Sequence, residues 1–296
     1  MALTLRQLQI FLAVADHGST AAAADAVALS QSAASAALNE LESLLGAQLF
    51  DRVGRRLVLN DNGRLLLPQA RHMGDAAASI ERQFAGGAPA VPVGLRIGAS
   101  TTIGSYLLPA ILAGFARRHG RSTPQVSIAN TAAVAAAVAE FRVDLGLIEG
   151  PCHQPGLHVE PWLSDRMIVV AAPGHALAGG GKLAPAALRG AGWLLRESGS
   201  GTREAVEHAL VPHLHYLHPA GEFSNSEAIK YAAAAGLGIA CLSRVVVADL
   251  LAGGQLVELD TALPPLQRHF YLIHHERKML SPRLAAFLQT CREYGG

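Results

Sequence analysis

The chain has 296 residues, half of them apolar, and a formal net charge of +1. That is enough for two or three domains with sizeable cores, and the near-neutral balance shows no polyanion partner for the chain as a whole. Three widely spaced cysteines, Cys152, Cys241 and Cys291, exclude a disulfide framework and a zinc ligand pattern and fit a reducing compartment.

No run approaches the ~20 apolar residues of a membrane span. The early run LQIFLAVA is preceded by Arg6 alone and interrupted by Asp16 and His17. It reads as an amphipathic helix rather than a leader, and a cytoplasmic protein is expected. Leu5, Leu8, Leu12 and Ala15 recur at helical spacing with Phe11 beside them, and the helix ends near Gly18. Ser19 or Thr20 then caps a short helix, AAAADAVA. Leu29 closes a tight turn and Ser30 caps a third helix, ended by Gly46.

On that third helix Ala34, Leu38, Leu41 and Leu45 form the expected buried stripe. Gln31, Ser32, Ser35 and Asn39 lie on another face. In LFDRVGRRLVLNDNG, two extended runs flank Val53-Gly54-Arg55, a predicted β-hairpin wing carrying Arg52, Arg55 and Arg56. A polar-edged helix beside a basic wing suits DNA. Gln and Asn bond base edges in the major groove, and arginines grip phosphates. Residues 1–65 hold five arginines (6, 52, 55, 56, 64) against six carboxylates (16, 25, 40, 42, 51, 61). Non-specific affinity should therefore be modest and depend on two copies of the wing.

Leu66, Ala70, Met73, Ala77, Ile80 and Phe84 follow an a/d heptad seam. A long helix pairing with a second copy is predicted, with a kink or break at Pro68. AGGAPAVPVG then reads as a hinge linker. From Leu95 onward strands and helices alternate, predicting α/β with largely parallel sheets in two subdomains around a cleft.

Two loops stand out there. Ser100-Thr101-Thr102 and Ser198-Gly199-Ser200-Gly201-Thr202 each follow a strand and open a helix. Such loops present backbone N–H groups and a positive dipole end, hydroxyls add donors, and glycines allow close approach. Facing each other, they would hold a small anion or carboxylate. Glu149 either lines the same cleft or is solvated, and Asn225 and Ser226 either join it or merely cap a helix. Arg203 either reaches an anion or sits in the first helical turn.

Other motifs fail. His208, His213, His215 and His218 have no zinc spacing and read as a solvated loop. GGGK, from Gly179 to Lys182, is followed by Leu183 and is no Walker A. ESGSGT puts Ser198 where a nucleophile elbow needs glycine. No catalytic constellation, metal or cofactor is expected, which sets an enzyme aside. A solute-binding transport protein would need a cleavable signal and no winged N-terminus.

LRQLQIFLAVADHGS, SQSAASAALNELESLLGAQLFDRVGRRL, RESGSGTRE and AIKYAAAAGLGIACLS, in this order and spacing, resemble the LysR-type transcriptional regulators from about Leu3 to the end. The resemblance implies an N-terminal all-α winged helix-turn-helix at 1–61 and a dimerising linker helix and hinge at 62–92. An α/β periplasmic-binding-protein-like effector domain would follow at 93–296. Its first subdomain would take 93–163 and 267–296, its second 164–266, joined by crossover strands. It implies promoter DNA and RNA polymerase as partners, a homodimer or homotetramer, and an effector touching the Ser100–Thr102 and Ser198–Thr202 loops. By this reading Thr20, Ser30, Gln31, Ser32, Ser35, Asn39, Arg52, Arg55 and Arg56 meet DNA. The chain departs from the family pattern at Ala36, where many members are basic, and at Leu59-Asn60-Asp61-Asn62-Gly63, where many have Leu-Thr-x-x-Gly. The GSGTR form is similar to members that sense small inorganic anions or phosphorylated metabolites.

Overall fold

The computed structural model describes residues 3–54, 56–84, 94–120 and 123–294. The chain divides into two compact units at Pro92/Val93, except that Glu140–Arg142 and Arg277–Ser281 group with the first.

In the first unit, caps set the helix boundaries. Thr4 and Gln7 exchange bonds in a capping box that starts α1 (Leu5–His17), and left-handed Gly18 ends it. Ser19, not Thr20, caps α2 (Thr20–Ala26). Ser30 caps α3 (Gln31–Leu45), and Gly46 ends it. Buried Ala23, Ala24 and Ala34 let the helices cross closely, and Phe11, Leu38 and Leu41 fill the core. The expected stripe stops one turn early: Leu45 is 41% exposed, beyond the reach of that core.

β1 (Phe50–Val53) and β2 (Arg56–Leu59) form an antiparallel wing, with Phe50 opposite Leu59. Phe50 packs on Phe11, and the Leu57 N–H donates to the Gly18 carbonyl, so the wing is anchored to α1. Arg55 lies outside the described residues. α4 (Asp61–Phe84) begins one residue before the expected linker region at 62–92 and runs continuously through Pro68. There is no break there. A proline removes only one backbone donor, and Leu67 and Ala70 anchor this stretch to the core. The predicted seam is thus divided. Leu66 and Ala70 pack inside the unit, whereas Met73 and Ile80 are 45% and 57% exposed. The Phe84 side chain and the linker at 85–93 lie outside the described residues.

The second unit contains β3 (Arg96–Ser100), a π-helical turn (Ile103–Leu107), α5 (Leu108–His119), β4 (Gln125–Ala129), α6 (Thr131–Ala139) and β5 (Leu145–Glu149). β6 (Leu157–Ala171), α7 (Pro185–Arg189), β7 (Gly192–Arg196), α8 (Gly201–Leu214), β8 (His218–Phe223) and α9 (Ser226–Ala234) follow. β9 (Ala240–Ser243), α10 (Arg244–Ala252), β10 (Val257–Glu258), β11 (Gln267–His275) and α11 (Pro282–Glu293) complete it.

The expectation of largely parallel sheets needs correction. β3–β4, β3–β5 and β7–β8 are parallel, but β6 pairs antiparallel with β9, β10 and β11, and β11 with β5. The chain leaves along β6 and returns along β11, so these long strands must oppose each other. Strand–helix alternation alone does not reveal that return. Their register slips between His269 and Tyr271, beside Pro161, which has no N–H for the ladder.

These two strands connect two lobes. Trp162 and Leu163 of β6 pack on the core of Ile97, Phe115, Leu147, Phe270 and Phe287. Met167 and Val169, farther along the same strand, pack with Trp193, Val206, Leu210 and Ile239.

Glycines in α4 give a matched test. A Cβ on Gly63 would sit 2.2 Å from the Leu49 carbonyl oxygen, whereas one on Gly74 meets nothing within 4 Å. Gly63→Ala should cost about 2 kcal/mol or more, and Gly74→Ala should gain up to about 1 kcal/mol, both read by urea denaturation.

Candidate functional site

The polar edge of α3 and the wing together form a concavity of about 690 Å³ lined by Thr20, Gln31, Ser35, Asn39, Arg52 and Arg56 among others. Arg52 and Arg56 are exposed and make no ion pair among the described residues. Ser30 and Ser32 are not in its lining. Their hydroxyls bond each other at 3.0 Å, and Ser30 accepts the Ala33 N–H. Gln48 lines the concavity and was missed by sequence reasoning; its carbonyl is held by the Asn60 and Asn62 side chains. Two carboxylates also lie there. Glu42 accepts the Leu49 N–H, and Asp51 is exposed.

In the second unit the strand ends converge. Glu149, the last residue of β5, is buried and accepts the Thr102 N–H, the Thr202 hydroxyl and an Arg268 N–H, each at 2.7 Å. Arg268 of β11 also donates to Asp165 of β6 at 2.7 Å, and Asp165 accepts the Ser243 hydroxyl at 2.7 Å. Ser100 bonds Thr131 and accepts the Glu149 N–H. The Thr131 hydroxyl donates to the Glu149 carbonyl. A Cβ on Gly201 would lie 1.6 Å from that carbonyl oxygen, so only glycine permits this approach.

Burial by itself would raise the Glu149 carboxyl. Arg268 and the Thr202 and Thr102 bonds outweigh it and hold the group below its ordinary range. Burial opposes the Arg268 charge in turn, but Glu149 and Asp165 overcome it, so the guanidinium is held above its ordinary value.

A second cluster lies at the end of β7. The buried Arg196 donates to both oxygens of Glu197, at 2.7 and 2.9 Å, and to the hydroxyls of Thr101 at 2.8 Å and Ser226 at 3.0 Å. Asn130 also donates to Glu197, at 3.2 Å. Burial raises the Glu197 carboxyl, yet the bonds from Arg196 and Asn130 bring it below the ordinary range.

The two predicted loops are therefore brought together, with different fates. Ser100, Thr102, Thr202 and Glu149 are committed to the internal network. Ser200 is the α8 cap, accepting the Arg203 N–H. Ser198 and Gly199 are exposed, and Thr101 is half-buried. Arg203 turns away to pair with Glu207 and Glu222 and to bond the Arg196 carbonyl. Asn225 caps α9, bonding the Glu227 N–H.

Sequence reasoning missed Arg196, Glu197, Asn130, Thr131, Asp165 and Arg268. One signal was present: Arg268 has the same strand parity as apolar Phe270 and Leu272, which marks an inward-facing charge. His208 and His213 sit on α8, which continues through Pro212, rather than in a loop. Among the described residues no group of three or more His, Cys, Asp or Glu is placed to hold a metal ion. Burial pushes the Cys241 and Cys291 thiols up to about 12, so neither is a ready nucleophile. Among the described residues no helix is long and apolar enough to cross a membrane.

The model of the bacterial regulatory helix-turn-helix proteins of the lysR family matches residues 5–64, and that of the LysR substrate binding domain matches 94–296. The chain belongs to the LysR family. It is 48% identical over 291 residues to the HTH-type transcriptional regulator YeiE of Escherichia coli K12, covering 98% of each chain. A full-length OxyR from Pseudomonas aeruginosa shares the fold at TM-score 0.78 and 21% identity, over 99% of this chain and 95% of that one. The CcmR regulatory domain of Synechocystis, in complex with 2-PG, is similar at TM-score 0.61 and 29% identity, over 67% of this chain and 95% of that one. This LysR-family chain is a DNA-binding transcriptional regulator with an effector-binding domain, not an enzyme.

The buried Glu149 charge has a pH signature. Its folded-state value lies below the ordinary 4.5, so its stabilisation is complete above that pH and is lost as pH falls through the depressed value. Glu149→Gln should cost about 3 kcal/mol at neutral pH. In denaturant titrations the gap to the parent should close as the solution is acidified. A pH-independent gap would contradict the assigned charge state.

Proposed function

We propose that this LysR-family regulator reads double-stranded promoter DNA with residues 1–61 and pairs copies through 62–92. Residues 93–296 would sense a small anion or carboxylate, with one subdomain at 93–163 and 267–296 and the other at 164–266. It acts in the cytoplasm as a dimer or tetramer and engages RNA polymerase. Gln31, Ser35 and Asn39 meet base edges, Thr20, Arg52, Arg55 and Arg56 hold phosphates, and Ser30 and Ser32 start the reading helix beside them. The observation that carries the sensing half is a buried guanidinium, Arg196, whose bonds reach the Thr101 and Ser226 hydroxyls from different strand ends. The effector meets Thr101, Arg196 and Ser226, with Ser198 and Gly199 at the entrance, while Ser100, Thr102, Glu149, Ser200, Gly201 and Thr202 shape the floor. The 2-PG complex of the related CcmR domain supports a small-molecule effector. Effector binding shifts a pre-existing equilibrium between conformations and so alters DNA contact.

Gln31→Ala should reduce discrimination between the native upstream fragment and a scrambled duplex by about 1–3 kcal/mol. Arg56→Ala should weaken both duplexes alike and lower the salt slope by about one. Anisotropy titrations across a salt series separate the two. Unchanged discrimination in Gln31→Ala would remove α3 from the reading role.

A further inference from the structure

Among the described residues of the second unit three cationic side chains are buried, Arg196, Lys230 and Arg268, and their charge balance differs. Arg268 lies between Glu149 and Asp165, whose side chains are 2% and 4% exposed. Within that cluster two carboxylates already occupy the guanidinium, which leaves it no fork for a further anion. Lys230 is likewise held by two carboxylates, Glu227 and Asp249. Among these three, only Arg196 has a single direct carboxylate partner, Glu197, whose side chain is 21% exposed; its charge also acts through space on Glu149.

We propose that the Glu197 carboxylate is the resident occupant of the effector site, neutralising Arg196 until an incoming oxyanion displaces it. This rests on the anion-sensing reading above and adds how the site is kept and what it selects.

Glu197 is built to leave. It directly follows β7, and the next two residues, Ser198 and Gly199, are exposed, with Gly199 at φ +81. Its side chain is bonded by Arg196, by Asn130 and by its own backbone N–H, all at the partly exposed end of the strand. Glu149, by contrast, is fixed by a backbone N–H, a hydroxyl and a guanidinium in a closed interior. Rotation of Glu197 into water would uncover the Nε–H and Nη2–H fork of Arg196 beside the Asn130 amide and the Thr101 and Ser226 hydroxyls. That fork matches two oxygens of one carboxylate, sulfate or phosphate group.

A buried guanidinium left unpaired is costly, so Glu197 departs only when another anion arrives. The ligand class is therefore an oxyanion presenting two oxygens; neutral and cationic compounds are refused. Exchange also breaks the Asn130–Glu197 bond, which joins the start of α6 in one lobe to the end of β7 in the other. Effector arrival is thereby communicated between lobes.

The test uses the full chain in chloride buffer at fixed ionic strength, with sulfate, inorganic phosphate and acetate as probes. Calorimetry and thermal melting compare the parent, Glu197→Gln, Glu197→Asp and Arg196→Gln. Glu197→Gln should melt lower than the parent in chloride, regain stability with a probe anion, and bind it about tenfold tighter or better. Glu197→Asp, which keeps the charge but retracts the carboxylate, should tighten binding by a smaller factor. Equal or weaker anion affinity in both Glu197 variants, with binding lost in Arg196→Gln, overturns the exchange and leaves the anion site standing. Parent-like binding in Arg196→Gln, or no binding of any probe to parent and Glu197 variants alike, overturns the site and the exchange together.

Discussion

The second unit depends on one buried guanidinium. Arg268 lies on β11 between β6 and β5, directly opposite Asp165 and near Glu149, and its bonds extend to Thr202 at the start of α8. Two carboxylates and one arginine out of water are tolerable only when each remaining lone pair and proton is met. The Thr102 N–H and the hydroxyls of Thr202 and Ser243 supply those bonds. This requirement explains why the Thr202 and Ser243 hydroxyls face inward, and the antiparallel pairing of β6 with β11 is what brings Asp165 opposite Arg268. The network joins the two lobes through charge, beside the apolar contact that Tyr106 makes with the core of the other lobe.

It also assigns different work to residues of similar type. Thr102 and Thr202 complete the floor, whereas Thr101, one position away, bonds Arg196. Glu149 is fixed inside by a backbone N–H, a hydroxyl and Arg268, while Glu197 lies at the partly exposed end of β7, bonded by Arg196, Asn130 and a backbone N–H. In the proposed sensing role, the fixed Glu149–Arg268–Asp165 network would keep the domain stable while the Arg196–Glu197 pair responds to an anion. Among its described residues the first unit has no such buried charge network. Its helices cross on alanines, and the concavity beside α3 and the wing is polar, with Glu42 and Asp51 set among Arg52 and Arg56.

Much of this was legible in the sequence, and for local reasons. Gly18 and Gly46 marked helix ends because left-handed backbone favours glycine, and Ser30 marked a helix start because a hydroxyl meets an orphan N–H. The wing was legible from Gly54 between two extended runs. The two loops were found because hydroxyls and glycines at strand ends are a local pattern. What escaped was non-local. The antiparallel return of β11 is set by pairing across about a hundred residues. Arg268 and Asp165 gain meaning only from that pairing. Arg196 and Glu197 looked like the edge of a loop until Asn130, Thr101 and Ser226 converged on them. Leu45 and Pro68 were misjudged because helical periodicity does not report where a core ends or what anchors a helix.

The central claim is that an anion at Arg196 and DNA at α3 are coupled in one chain. The most direct measurement is fluorescence anisotropy on DNA from upstream of the gene and on a scrambled duplex. It would be run with and without phosphate at constant ionic strength, for the parent and Arg196→Gln. The account predicts binding to the native fragment about a thousandfold tighter or better, shifted by phosphate in the parent and unshifted in Arg196→Gln. Equal binding to both duplexes, or a phosphate effect that persists in Arg196→Gln, would contradict it.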